Sequence, residues 1–203
     1  MDTQTAIRER RSVKHYDAGF EMPESHVQEL LDLALLSPTS FNIQNWRFVL
    51  VRDAANKQKL REAAWGQEQV TQAQLVFVLC GDVKAWDKAP ERYWRNAPDE
   101  VREQLVPMIR NFYTSGGEQV QHDEVMRSCG IAAQTLMLAA KSMGYDSNPM
   151  IGFDPKQVAE LINLPDDHTI AMMLVIGKAA KPARERGGQL DTSEVVIQEK
   201  FPG

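Results

Sequence analysis

The segment from Asp123 to Met143 constrains this chain more than any other. Its second half (Cys129, Ile131, Ala132, Ala133, Leu136, Met137, Leu138, Ala139, Ala140, Met143) is apolar nearly all round. A helix at the surface of a globular protein carries one apolar stripe and a polar back. A helix that lacks the polar back has to lie either in the centre of a large core or between subunits. The rest of the fold must be arranged around it. At 203 residues the chain has the size of one domain, 1–203, and a chain of that size buries roughly 70% of its unfolded surface.

The remaining elements read in order. Asp2 can cap a first helix running to about Arg11, with arginines late, as the helix dipole prefers. A second helix opens at Pro23, places Val27, Leu30, Leu31, Ala34 and Leu35 on one face, and stops before Ser37-Pro38. Trp46–Val51 reads as a buried strand, Lys57–Trp65 as a helix, and Gln74–Cys80 as a second strand closed by Gly81-Asp82. From Trp86 to Gly117 the chain is charged and aromatic, which suggests one or two helices packed loosely on the body. Tyr145–Gly152 reads as a short extended link, Pro155 to about Ile162 as a helix, and Ala171–Gly177 as a third strand. The polar tail carries Arg184, Arg186 and an alternating Val195–Ile197 segment. The pattern predicts one α+β domain, a small mixed sheet with helices on both sides.

Several chemistries are excluded. No Gly-x-Gly, His-Glu-x-x-His, Cys-x-x-Cys or Gly-x-Ser-x-Gly occurs, which removes the dinucleotide fingerprint, the phosphate loop and the usual zinc and nucleophile motifs. A net charge of -5 argues against general nucleic-acid binding. The N-terminus has no apolar signal region and no segment is long and apolar enough to span a bilayer, so a cytoplasmic protein with no membrane partner is expected. Cys80 and Cys129 lie in apolar segments and read as small buried hydrophobes rather than a redox pair. His122-Asp123 reads as a surface pair at a helix start rather than a metal site, and no metal is expected.

Two stretches carry the chemistry. Arg10-Arg11-Ser12-Val13-Lys14 sets three cations and a hydroxyl within five residues, the material of a phosphate cradle. If this segment is extended, Arg10, Ser12 and Lys14 share a face. The alternative is a basic helix C-terminus that meets its own dipole and nearby acids. Ser37-Pro38-Thr39-Ser40-Phe41-Asn42-Ile43-Gln44-Asn45-Trp46 is a loop of hydroxyls and amides that leads into a strand. Together the two suit a ligand with a phosphate at one end and a flat, hydrogen-bonding ring at the other, the shape of flavin mononucleotide (FMN).

The ordered set of these stretches, followed by Asn148-Pro149-Met150-Ile151-Gly152-Phe153, Ile176-Gly177-Lys178 and Arg184-Glu185-Arg186, resembles the FMN-dependent nitroreductase family over nearly the whole chain. The likeness is greatest to the branch that reduces quinones and nitroaromatics. The resemblance implies an intertwined homodimer with a mainly antiparallel sheet and FMN at the subunit interface. NADH or NADPH would be the transient donor, and hydride would pass through flavin N5 in a ping-pong cycle to a small aromatic or quinone acceptor. It implies a phosphate held by Arg10, Arg11 and Ser12 with Arg184 and Arg186, and Lys14 near N1 and O2 of the ring. Gln67 would lie at the pyrimidine edge, the backbone of Pro149, Met150, Ile151 and Gly152 near the ring and N5, and Pro38, Thr39, Ser40 and Asn42 would reach the other subunit's FMN. Phe41, with Phe112 or Tyr113, would border the substrate. Two positions depart from the family pattern: Asn45 where proline is frequent, and Val70 where a second lysine is frequent. The same fold could serve another acceptor, such as an enal or a dehalogenation substrate, or a non-catalytic flavin-binding module. For a 2′-phosphate, Arg47 and Arg95 are candidates by charge alone.

Overall fold

A computed structural model describes residues 1–201. Its centre is a four-stranded sheet of β1 (Trp46–Val51), β2 (Leu75–Asp82), β3 (Asp146–Met150) and β4 (His168–Gly177), in the order β1-β2-β4-β3. All three ladders are antiparallel, and one isolated parallel bridge, Ser12 to Ser147, lies beside them. β2 is buried along its whole length because it has a strand on each edge and helices on both faces. Side chains alternate across a strand, so β2 divides its residues between two cores. Val76, Val78 and Cys80 join Met173 and Val175 of β4 on one face, under α3 (Ala54–Ala63) and α6 (Pro155–Leu161). Leu75, Phe77 and Leu79 join Leu174 and Ile176 on the other, under α2 (Glu24–Ala34) and α5 (Asp99–Ser142).

The long apolar helix is central, as its pattern requires. Leu136 and Ala140 of α5 are fully buried against the sheet. The opposite side of the same helix is open. Met126, Ile131 and Leu138 line an apolar groove of about 600 Å³ with Gly130 and Thr135. Among the described residues, no helix is long and apolar enough to cross a membrane.

Several expectations are corrected. α5 does not begin near Asp123 but extends back to Asp99, with a break at Gly117 (φ 66°, ψ -170°). Only glycine adopts that conformation without strain, so it joins two helical stretches that run in different directions. The 86–117 region does not pack loosely: Ile109 and Tyr113 are fully buried in a cluster with Ile43 and Tyr93. The expected link 145–152 contains an edge strand, β3, where Pro149 is tolerated because one side of the strand has no ladder to break. α1 (Thr3–Glu9) ends short of Arg11 because Arg10 leaves helical geometry at ψ 130°. α3 starts three residues before Lys57, with Asp53 accepting from the Asn56 N–H. Pro23 sits outside α2 as its cap, and Val195 closes a one-turn helix, α7 (Thr192–Val195), in place of the alternating segment. The one-turn α4 (Gln69–Gln72) and short 3-10 turns at Ser40–Asn42 and Pro90–Trp94 were not anticipated.

Candidate functional site

The Arg10–Lys14 segment leaves α1 extended and runs onto β3. Val13 donates its backbone N–H to the Ser147 carbonyl at 3.0 Å. Val13 is buried in the core, so its neighbours Ser12 and Lys14 face outward together. The Ser147 hydroxyl, beside Ser12, is buried and has no partner.

Arginines converge where α1 ends. Arg186 Nη2 donates to the carbonyls of Ile7, Arg8 and Arg10 at 3.2–3.3 Å, and Arg11 Nη1 donates to those of Arg8 and Arg10. Two guanidinia therefore satisfy the free carbonyls of a helix C-terminus. Burial, then the charges of Arg186 and Arg11, push the Arg10 guanidinium below its ordinary value. Arg184 is exposed on the same tail. Among the described residues, none of Arg10, Arg11, Lys14, Arg184 or Arg186 forms an ion pair with a carboxylate, although the chain holds 28 acids to 23 basic residues.

Beyond the far end of β3 lies a second cluster. Gln67 Nε2 donates to the Gly152 carbonyl at 2.7 Å, and Gln69 Nε2 donates to Gln67 Oε1 at 2.8 Å and lies 3.8 Å from Met150 Sδ. A side chain on Gly152 would meet the Trp65 ring at 3.3 Å and the Gln67 amide at 3.4 Å, so the missing Cβ permits this approach. Ile151 is 82% exposed, leaving the surface beside Gly152 open. β3 thus joins a cationic end to an amide-lined end.

The 38–42 loop is held elsewhere. Ser40 donates its N–H to Glu124 Oε1 at 3.2 Å, Asn42 Nδ2 donates to the Tyr93 carbonyl at 2.8 Å, and Trp94 Nε1 donates to the Phe41 carbonyl at 3.0 Å. Thr39 Oγ1 accepts from the Gln44 N–H at 3.0 Å, and Pro38 is exposed. Phe41, Asn42 and Gln44 all have positive φ (51°, 55° and 42°), a concentration of non-glycine left-handed residues typical of sites under functional constraint. Phe41, Phe112 and Tyr113 do come together, with ring centroids 5.1–6.2 Å apart. Phe112 is 47% exposed, whereas Tyr113 is fully buried, and burial pushes its phenol up to about 12. Within one chain the structure does not join this loop to the cations: among the described residues no hydrogen bond or ion pair links them.

The Nitroreductase family model matches residues 7–178, most of the chain. This chain belongs to the nitroreductase family. It is similar to the Synechocystis protein DrgA, with 52% identity over 183 residues, covering 90% of this chain and 87% of that one. It is 34% identical over 182 residues to an NADH dehydrogenase of Thermus thermophilus, with 89% of this chain and 88% of that protein covered. A solved structure of an Exiguobacterium sibiricum protein in complex with FMN superposes with a TM-score of 0.91 at 30% identity, covering 98% of each chain.

In this member of the nitroreductase family, sequence reasoning missed several supports. Trp65, 71% exposed at φ 56° and placed against Gly152, was signalled only by the Trp-Gly pair at a helix end. Glu124, Tyr93 and Trp94, which hold the 38–42 loop, are distant in sequence and left no local signal. Of the two departures from the family pattern, Val70 is fully buried in the core, and Asn45 is buried with an unpartnered Oδ1. The cysteines are free and buried, and burial pushes both thiols up to about 12. His122-Asp123 lies outside the one acid–histidine cluster found among the described residues, Asp82, Asp167 and His168, where Lys88 already bridges both acids.

Proposed function

We propose that this protein is an FMN-dependent NAD(P)H oxidoreductase, acting as a homodimer, that reduces quinones or nitroaromatics. One observation carries the reading: Arg10, Arg11 and Arg186, none with a carboxylate partner among the described residues, converge where α1 ends beside β3, while an amide and a glycine backbone meet beyond the far end of the strand. A charge excess of this kind in an acidic chain calls for a bound dianion. The residues fit FMN. The buried, unpartnered Ser147 hydroxyl and the cation set suit its phosphate, and the exposed surface at Ile151, beside Gly152, suits the approach of a flat ring.

The bound flavin would supply hydride acceptance from the nicotinamide donor and hydride delivery to the acceptor, chemistry that side chains lack. The protein's part is geometry and charge. Arg10 and Ser12, with Arg184 and Arg186, hold the phosphate, while Arg11 braces the same helix end. Lys14, exposed beside Val13, would place a positive charge at the ring's N1/O2 side. Gln67 fixes the Gly152 carbonyl and so orients the Pro149–Gly152 backbone along the ring, keeping one amide hydrogen for the pyrimidine edge. Pro38, Thr39, Ser40 and Asn42 project from a loop tied to α5, and reach the flavin of the other subunit. Phe41 and Phe112 offer aromatic faces to a flat acceptor.

The test is an absorbance spectrum of purified protein with FMN, before and after anaerobic NADPH. Flavin bands that bleach, then recover on adding a quinone, are expected. Protein that takes up no FMN overturns the reading. Flavin that bleaches but recovers only with an enal or a dehalogenation substrate overturns the acceptor assignment.

A further inference from the structure

A cleft of about 780 Å³ lies apart from both the cationic and the amide clusters described above. It opens between the end of the 38–42 loop and the 3-10 turn Pro90–Trp94. Three of its lining residues are arginines, Arg47, Arg92 and Arg95, and none is a carboxylate. Two tryptophans, Trp46 and Trp94, share the wall.

Two of the guanidinia are held in place by the fold. Arg92 Nη2 donates to the Tyr93 hydroxyl at 2.8 Å and its guanidinium lies 4.8 Å above the Tyr93 ring. Arg47 Nη1 donates to the Gln44 and Trp46 carbonyls, and its only acid is Asp82 at 3.4 Å, which Lys88 already engages at 2.8 Å. Arg95 is exposed, and among the described residues its side chain makes no hydrogen bond or ion pair. The Trp46 indole N–H is buried without a partner. Three like charges in one cleft repel one another unless an anion joins them, and planar guanidinium forks match phosphate oxygens.

We infer that this cleft binds the phosphate-bearing adenosine half of the nicotinamide dinucleotide donor. The inference rests on the proposed function, in which two molecules carry phosphate. FMN has its own cationic seat near Ser147, and the acceptors are flat molecules without phosphate. A second cationic cleft, with the half-buried Trp94 indole on its wall, falls to the dinucleotide. Its position agrees: Asn42 lines both this cleft and the loop proposed to reach the partner's flavin.

The experiment is calorimetric titration of the flavin-loaded protein with 2′,5′-ADP and with ADP, repeated on R95A and R95K. Both nucleotides should bind the unmodified protein, and R95A should weaken binding by about tenfold or more, the loss of a charge-assisted contact. R95K should recover part of that loss. Preference for 2′,5′-ADP assigns Arg95 to the 2′-phosphate of NADPH, and equal binding assigns it to the diphosphate. Nucleotide affinity identical in the unmodified protein and R95A, with flavin still bound, overturns this inference and leaves the flavin reading standing. Failure of the unmodified protein to take up flavin counts against the earlier reading, and the nucleotide titrations of the flavin-free protein and of R95A then decide this one by the same comparison.

Discussion

Arg10 differs from the arginines around it in what its side chain has to do. Arg11 and Arg186 spend donors on the carbonyls at the end of α1, whereas no hydrogen bond or acid engages the Arg10 guanidinium among the described residues. Arg10→Ala should therefore weaken FMN binding by about 2–4 kcal/mol, because a charge-assisted bidentate partner is lost. Flavin fluorescence on titration reads the effect, and unchanged affinity would mean the phosphate lies elsewhere. Lys14→Ala should lower the rate of flavin reduction more than flavin retention, a difference that stopped-flow absorbance can separate from occupancy. A third residue bears on stability rather than on the site. Lys88, then His168, hold the Asp167 carboxyl down to about 2. A depressed carboxylate stabilises the fold above its unfolded value, near 4, and that contribution is lost as pH falls through the folded value. Between about pH 4 and 2 the melting temperature of Asp167→Asn should fall less steeply than that of the parent protein.

At the level of elements, β2 and α5 approach closely at Gly81. A side chain on Gly81 would come within 2.2 Å of Val125 Cγ1. Gly81→Ala should cost about 1–3 kcal/mol in urea unfolding through overpacking. Adding Val125→Ala should recover part of that cost, and the non-additivity of the pair measures the contact. The strand and helix patterns of these elements are plain in the sequence, since Leu75–Cys80 of β2 is one apolar run and the second half of α5 is apolar nearly all round. What is hidden is how the elements meet. β3 carries a proline, Pro149, and a polar residue, Asn148, so its membership of the sheet depends on pairing with β4 rather than on its own composition. The break at Gly117 is a backbone angle, visible only once the two halves of α5 have separate neighbours. Gln67 and Gly152 were legible by resemblance to a family. The hydrogen bond between them, across 85 residues of sequence, was not.

For the whole molecule, the open side of α5 and the separation of the 38–42 loop from the cations have one explanation under the proposed dimer. The apolar groove along Met126, Ile131 and Leu138 becomes a subunit contact, and each loop completes the other subunit's site. Ile131 is 43% exposed in the single chain, so Ile131→Glu should leave the protomer folded. Its charge would be buried without a partner in the dimer, a cost of several kcal/mol. Gel filtration should show a shift to monomer with loss of flavin. A variant that stays dimeric and yellow would place the contact on another face.

Arg186, on the tail, closes the end of the first helix, 176 residues upstream. Under the proposed assignment the phosphate seat draws on residues 10–12 together with Arg184 and Arg186, so it is completed only once both segments have been made. Loading with flavin would then be a step that follows translation, and apoprotein an obligatory intermediate in every molecule's life.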